Sequence, residues 1–164
     1  MVKIAVSKCL LGDRVRYDGT DCFCEQIKLL NDNETTIIPF CPEMSIGMGV
    51  PRGPIQLVLI DAEIKARRVN NSGEDFTKQL KQYAKEFAEL HPDLYAIINK
   101  KGSPSCGFKS TKLYQNKVLL HSHANGIFLN EIIKLLPGLI SIDEQGLNEP
   151  AKLKQFIMDI KKAF

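Results

Sequence analysis

The sequence predicts an α/β fold: one domain over residues 1–164, built in three layers, with a mostly parallel sheet and helices on both of its faces. Three observations carry this. Short, apolar, β-branched runs alternate along the chain with segments whose apolar residues recur every three or four positions. Strands joined through helices pair in parallel, and their crossovers cover the faces of the sheet. The 164 residues are 44% hydrophobic and 25% charged, enough for a real core and ordinary for a globular chain, with no internal repeat or low-complexity tract.

Residues 2–7 (VKIAVS) are the first expected strand. Roughly 21–30 (DCFCEQIKLL) read as a short amphipathic helix, with Thr20 or Asp21 as N-cap. Residues 35–40 (TTIIPF) are a second strand. Residues 55–60 and 63–69 are two extended segments that form a hairpin around Asp61-Ala62. The clearest helix covers 74–90, where Phe76, Leu80, Tyr83, Ala84, Phe87 and Leu90 make one apolar face and Pro92 lies just beyond. A buried strand follows at 94–98. Residues 112–114 and 117–120 suggest a second hairpin over Gln115-Asn116. A helix over 126–136 is closed by Pro137-Gly138, and a short strand comes near 139–142. The last helix starts near Asn148, with Pro150 in its favoured first turn, and runs to about Lys162. This alternation is Rossmann-like, and in such sheets ligands bind beyond the carboxyl ends of the strands.

The formal net charge of +3 is mildly basic and compatible with an anionic ligand. No apolar run reaches the ~18 residues that a membrane span needs, and the N-terminus leads directly into a strand pattern rather than a leader. A cytoplasmic protein with no membrane partner is the expectation.

Five cysteines occur, at Cys9, Cys22, Cys24, Cys41 and Cys106. An odd number in such a chain argues against a disulfide framework. One reading is a scatter of free thiols behaving as small hydrophobes. Position favours another. Cys9 lies two residues past the first strand, Cys41 directly follows the second, and Cys106 sits in the loop after the strand at 94–98. Parallel strands deliver their carboxyl ends to one edge, so these three thiols converge. Their loops, SKCLLGDRVRYDG (7–19), FCPEMSIGMGVPRGP (40–54) and KKGSPSCGFKS (100–110), are rich in small turn residues whose amides can face an anion. Cys22 and Cys24, two apart on an expected helix, point to different faces, so at most one approaches the site.

Structural zinc favours four ligands from paired knuckles, and Cys22-Phe-Cys24 lacks that spacing. A thiol nucleophile needs a base, yet His91, His121 and His123 all lie outside these loops. Thiolates also hold iron–sulfur clusters. A [4Fe-4S] cluster on three cysteines leaves one iron without a protein ligand, free to act as a Lewis acid. Glu43, two residues from Cys41, reads either as a proton carrier or as a first-turn carboxylate favoured by a helix dipole.

The motifs SKCLLGDRVRYDG, FCPEMSIGMGVPRGPIQL and KGSPSCG, in this order, resemble the DUF523 family, whose characterised members are thiouracil desulfurases (desulfidases). The resemblance runs from Val2 to about Gly146. It implies a compact α/β domain and a [4Fe-4S] cluster held by Cys9, Cys41 and Cys106. It also implies replacement of a thiocarbonyl sulfur by water's oxygen, with release of sulfide. The substrate class is then a small thiolated pyrimidine base or nucleoside, not a nucleic-acid polymer. Carried over by position, Glu43 is the general acid/base and Ser103 polarises substrate or water, while Arg16, Tyr17, Asp18 and Arg52 shape the substrate pocket. Many relatives have a cysteine where this sequence has Val15, which sets that position apart from the ligands. Against this stand a non-catalytic iron–sulfur or metal-binding sulfur carrier or sensor, and a small-molecule-binding domain with incidental cysteines.

Overall fold

The computed structural model describes residues 1–30, 32–71 and 73–163. Strand β1 (Val2–Ser7) runs into a 3₁₀ turn (Lys8–Leu11), and a 3₁₀ helix (Glu25–Leu30) leads to β2 (Thr35–Phe40) and the one-turn α1 (Pro42–Ser45). The hairpin β3 (Ile55–Ile60) and β4 (Glu63–Arg68) precedes α2 (Thr77–Leu90) and β5 (Leu94–Asn99). A second hairpin, β6 (Thr111–Gln115) and β7 (Val118–Ala124), precedes α3 (Ile127–Leu135), β8 (Ile140–Asp143), α4 (Glu144–Leu147) and α5 (Pro150–Lys161).

Four strands form an all-parallel sheet in the order β2-β1-β5-β8. Alternation along each strand decides which face a side chain joins. Ile4, Val6, Ala96 and Ile98 pack with Leu147, Phe156 and Ile160 of α4 and α5. Ala5 and Ile97 pack on the other face with Ala84 and Phe87 of α2 and with Phe128, Leu129 and Ile132 of α3. Helices therefore cover both faces, as the alternation predicts. Phe40, at the end of β2, stacks on Phe128 with ring centroids 5.4 Å apart. Burial of each such ring contributes roughly 1.5–3 kcal/mol. The sheet winds in opposite directions from β1, with β2 on one side and β5 on the other. The carboxyl ends there diverge into a crevice.

The two hairpins stay out of this sheet. They join each other through the parallel pair β3–β6 to make a second sheet in the order β4-β3-β6-β7. Its inner face, Ile55, Leu57, Ala66, Leu113 and Ala124, packs on Leu80 of α2 and Ile127 of α3. Each hairpin turns on two residues with left-handed backbone, Asp61-Ala62 (φ 50° and 63°) and Asn116-Lys117 (φ 48° and 65°). Such pairs match the twist of the flanking strands. The second turn thus lies one residue later than expected.

Three boundaries differ for identifiable reasons. Residues 21–24 are not helical. The amides of Cys22 and Cys24 donate to Cys9 O and Leu10 O, both at 2.9 Å, so the preceding turn takes them up. Asp21 makes a local turn instead of a cap, with Oδ1 accepting from Phe23 N at 3.0 Å. Helix α2 begins later than residue 74 because Asp75 bridges to Arg67 and its carboxylate accepts from Thr77 N at 2.9 Å. Asn148 closes the short α4 rather than opening α5. Among the described residues, no helix is long and apolar enough to cross a membrane.

Candidate functional site

At the carboxyl edge, beside the reversal in strand order, a cavity of about 160 Å³ is lined by Cys9, Cys41 and Cys106, with Glu43, Arg52 and Ser103 among its other walls. The structure thus brings together the three thiols that follow β1, β2 and β5. Cys9 is buried in the 3₁₀ turn after β1. Cys41 is the extended N-cap residue of α1, where Pro42 occupies a first-turn position that needs no amide donor. Cys106 is buried at 4% exposure, against the core shared by α2 and α3. Cys22 lies beside Cys9, to which its backbone is bonded. Cys24 turns into the core, and its Sγ donates to Gln26 Oε1 at 3.4 Å. Cys22 thus stands beside a lining residue without being one of the residues that line the cavity, and it does so through a turn rather than on the expected helix.

Burial dominates the thiol chemistry. It pushes Cys9 far up, helped by the neighbouring Cys106, Cys22 and Cys41, against the pull of the Lys100 ammonium. Burial also raises Cys41, and it raises Cys106 against the hydroxyls of Ser103 and Ser7 beside it. In the cluster-free chain these groups hold their protons, and binding of a soft metal centre would release them. Among the described residues, no three Cys, His, Asp or Glu side chains stand close enough together to share a single metal ion.

The loop carrying Cys106 is fixed by the start of α3. Gly126 N donates to Gly107 O at 2.8 Å, Ile127 N to Pro104 O at 2.9 Å and Leu129 N to Ser105 O at 3.3 Å. The approach is too close for a side chain. A Cβ on Gly126 would meet Ser105 O at 2.4 Å, and one on Gly107 would meet Thr111 Oγ1 at 2.2 Å. Gly107 is needed for space, therefore, and not for an unusual backbone angle.

Glu43, in the first turn of α1 and 9% exposed, is held at both oxygens. Arg52 Nε donates to Oε2 at 2.7 Å, and Ser105 Oγ donates to Oε1 at 3.1 Å. Arg52 also donates from Nη1 to Gly49 O at 2.8 Å and from Nη2 to Val15 O at 2.9 Å. Its amide donates to Tyr17 O at 2.9 Å. The guanidinium thus clamps the loops after β1 and α1 onto Glu43. Ser103 Oγ accepts from the amides of Ser105 (3.3 Å) and Cys106 (3.1 Å) and lies 2.9 Å from Ser105 Oγ. Ser105 commits its one proton to Glu43, so Ser103 donates to Ser105. The hydroxyls form a chain from the cavity wall to the carboxylate.

Of the other expected pocket residues, Arg16 and Tyr17 line the cavity. Arg16 lies over the Tyr17 ring at 5.9 Å and donates to Thr20 Oγ1 at 2.9 Å. Asp18 faces its own turn. Its Oδ1 accepts from Thr20 Oγ1 at 2.6 Å and Thr20 N at 3.1 Å, which holds its carboxyl below the usual range. Ser105, Ser7 and Lys100 also line the cavity, and their types and places in the sequence did not mark them strongly. Ser105 sits beside Cys106 and two positions from Ser103, both better marked. Ser7 is a polar residue closing an apolar strand, which was the available signal. Lys100 pairs with Glu144 of α4 at 2.5 Å, a contact no local pattern announces.

A family model described as 2-thiouracil desulfurase matches residues 4–144. The uncharacterized protein YbbK of Bacillus subtilis (strain 168) is 35% identical over 115 residues, 63% of this chain and 72% of that protein. Among solved structures, a [4Fe-4S]-dependent thiouracil desulfidase, TudS, superposes with a TM-score of 0.67 at 28% identity, covering 95% of this chain and 99% of that one.

Proposed function

The chain belongs to the 2-thiouracil desulfurase family, and from that premise we propose that it is a [4Fe-4S]-dependent desulfidase. It converts a small thiolated pyrimidine base or nucleoside to the oxo form and releases sulfide. The observation that carries the reading is the convergence of Cys9, Cys41 and Cys106 on one cavity beside Glu43.

The donor set fits the cluster. Three soft thiols, Cys9 and Cys106 buried and Cys41 half-buried, line one cavity, with no imidazole among its described lining residues. Cys9, Cys41 and Cys106 would hold the cluster. When bound, it supplies an iron without a protein ligand, a Lewis-acid position for the thiocarbonyl sulfur.

The reaction exchanges C=S and water for C=O and hydrogen sulfide, with no net oxidation. Glu43 Oε1 takes a proton from the attacking water and passes it to the sulfur, and the water's second proton follows the same route as the C–S bond breaks and the new C–OH closes to C=O. Ser105 orients that oxygen, and Ser103 extends the hydroxyl chain to the cavity wall. Arg52 keeps Oε2 fixed, so the carboxylate does not swing as the proton moves. Arg16 and Tyr17 form the substrate wall, whereas Asp18 acts through the turn that presents them.

The test is anaerobic reconstitution with iron and sulfide, followed by incubation with 2-thiouracil and 4-thiouracil. Sulfide and oxo base should appear in equal amounts. A protein that loads a cluster and releases no sulfide from any thiolated pyrimidine would overturn the reading.

A further inference from the structure

Ser7 closes β1 and is 3% exposed, with its Oγ 3.4 Å from Cys106 Sγ. The same oxygen accepts from Lys100 N at 3.2 Å. A buried hydroxyl is costly unless its hydrogen bonds are made, and here one amide and one sulfur make them. The structure assigns Ser7 as a positioning residue for Cys106: it relays the Lys100 amide into an O–H···S bond on the cluster-ligating sulfur. This rests on the cluster reading above.

The direction of the bond follows from proton counting. As a free thiol, Cys106 could be donor or acceptor. As an iron ligand it is a thiolate with no proton, so only Ser7 can donate. The amide of Lys100 already occupies the acceptor side of Oγ, which leaves the hydroxyl proton for sulfur. A hydroxyl polarised by an amide is a stronger donor. Ser7 and Ala5 lie on the same side of β1, toward the α2/α3 core that contains Cys106. Ser7 is the last residue of β1 and Lys100 directly follows β5, so both donors sit where the two strands meet the crevice. Hydrogen bonds to cluster sulfurs withdraw charge, so they raise the reduction potential and hold the ligand in place.

The experiment compares the reconstituted wild type with Ser7→Ala, and Ser7→Thr with Ser7→Val, a pair alike in shape that differs in the hydroxyl. Ser7→Ala should move the cluster's midpoint potential to more negative values and bleach about tenfold faster in chelator, the factor for about 1.4 kcal/mol. Ser7→Val should sit negative of Ser7→Thr. Equal potentials and equal bleaching within both comparisons overturn the assignment. So does a fall in melting temperature of the cluster-free protein with no change in potential, which is the mark of a purely structural serine. A wild type that assembles no cluster overturns the function reading, and this one with it. A wild type that desulfurises while its Ser7 variants keep the same potential overturns this one alone.

Discussion

Arg52 Nε and Ser105 Oγ grip opposite oxygens of the Glu43 carboxylate, at 2.7 Å and 3.1 Å. The side chains of Arg52 and Glu43 are 5% and 11% exposed. The carboxylate is therefore oriented before any substrate arrives. Its two partners come from different loops, so the orientation of the carboxylate and the packing of the loops are one arrangement.

Glu43→Gln should keep the cluster absorbance and lose about 10²–10⁴-fold in turnover, the usual range for a general acid–base group. The amide can still accept from Arg52 through oxygen and donate to Ser105 through nitrogen, so shape is preserved while the proton carrier is lost. Steady-state sulfide release is the measurement, and a near-native rate would make Glu43 structural.

Ser103→Ala should retain the cluster and slow desulfidation at least ~10-fold, about 1.4 kcal/mol in barrier. Ser105→Ala frees Glu43 Oε1 and should fall in the same direction. The double variant should be no worse than the slower single one, because both cut the same hydroxyl chain. Loss of the cluster in either single variant would assign that serine to holding the loop.

Arg52→Ala leaves Glu43 buried without its cation and releases the carbonyls of Gly49 and Val15. Breaking a buried pair from one side costs about 3–5 kcal/mol. Urea denaturation of the cluster-free protein should show a loss of that order. Arg52→Lys should recover part of it, since an ammonium cannot reach all three acceptors in the guanidinium's planar geometry.

Serine at position 9, 41 or 106 should abolish the reconstituted cluster's visible absorbance. Cys22→Ser and Cys24→Ser should retain it. A bleached Cys22→Ser protein would place that thiol in the ligand set, where its backbone contact with Cys9 makes it the nearest alternative.

Asp75 lies below its ordinary carboxyl value of 3.8, held there by Thr77 and the Arg67 charge against the opposing effect of burial. A depressed folded-state value stabilises the protein above the unfolded value, and that contribution is lost as pH falls through the folded one. Asp75→Asn should therefore lower the melting temperature near pH 6 and make it less sensitive to acid below about pH 4. Parallel melting curves across that window would remove Asp75 from the acid response.

The parallel sheet was legible because each of its strands is an apolar run set off by helical periodicity. The hairpins were legible as hairpins, but alternation within 55–60 and 112–120 does not say which strands they join. Leu80 and Ile127, on helices distant in sequence, provide the face that the second sheet covers, with Ile46, Met48 and Phe76 packed at its margin. Residues 21–24 carry a helical pattern that loses to long-range bonds from Cys22 and Cys24 to the turn at Cys9 and Leu10. In the site, the cysteines could be read from their places at strand ends. Ser105 and Ser103 share a side chain and a loop, so only coordinates separate the one that touches Glu43 from the one that touches it through a neighbour. Asp18 shows the opposite case, a charged residue in a site-like motif that spends itself on Thr20.

Met1 precedes the amino end of β1, and the cavity opens past the carboxyl end of the same strand. Six residues of strand separate them, or about 20 Å. A tag, tether or solid support joined at Met1 would anchor the molecule from the edge opposite the thiols. Cluster loading and substrate entry would then proceed from the free side, so immobilised protein should reconstitute as fully as protein in solution.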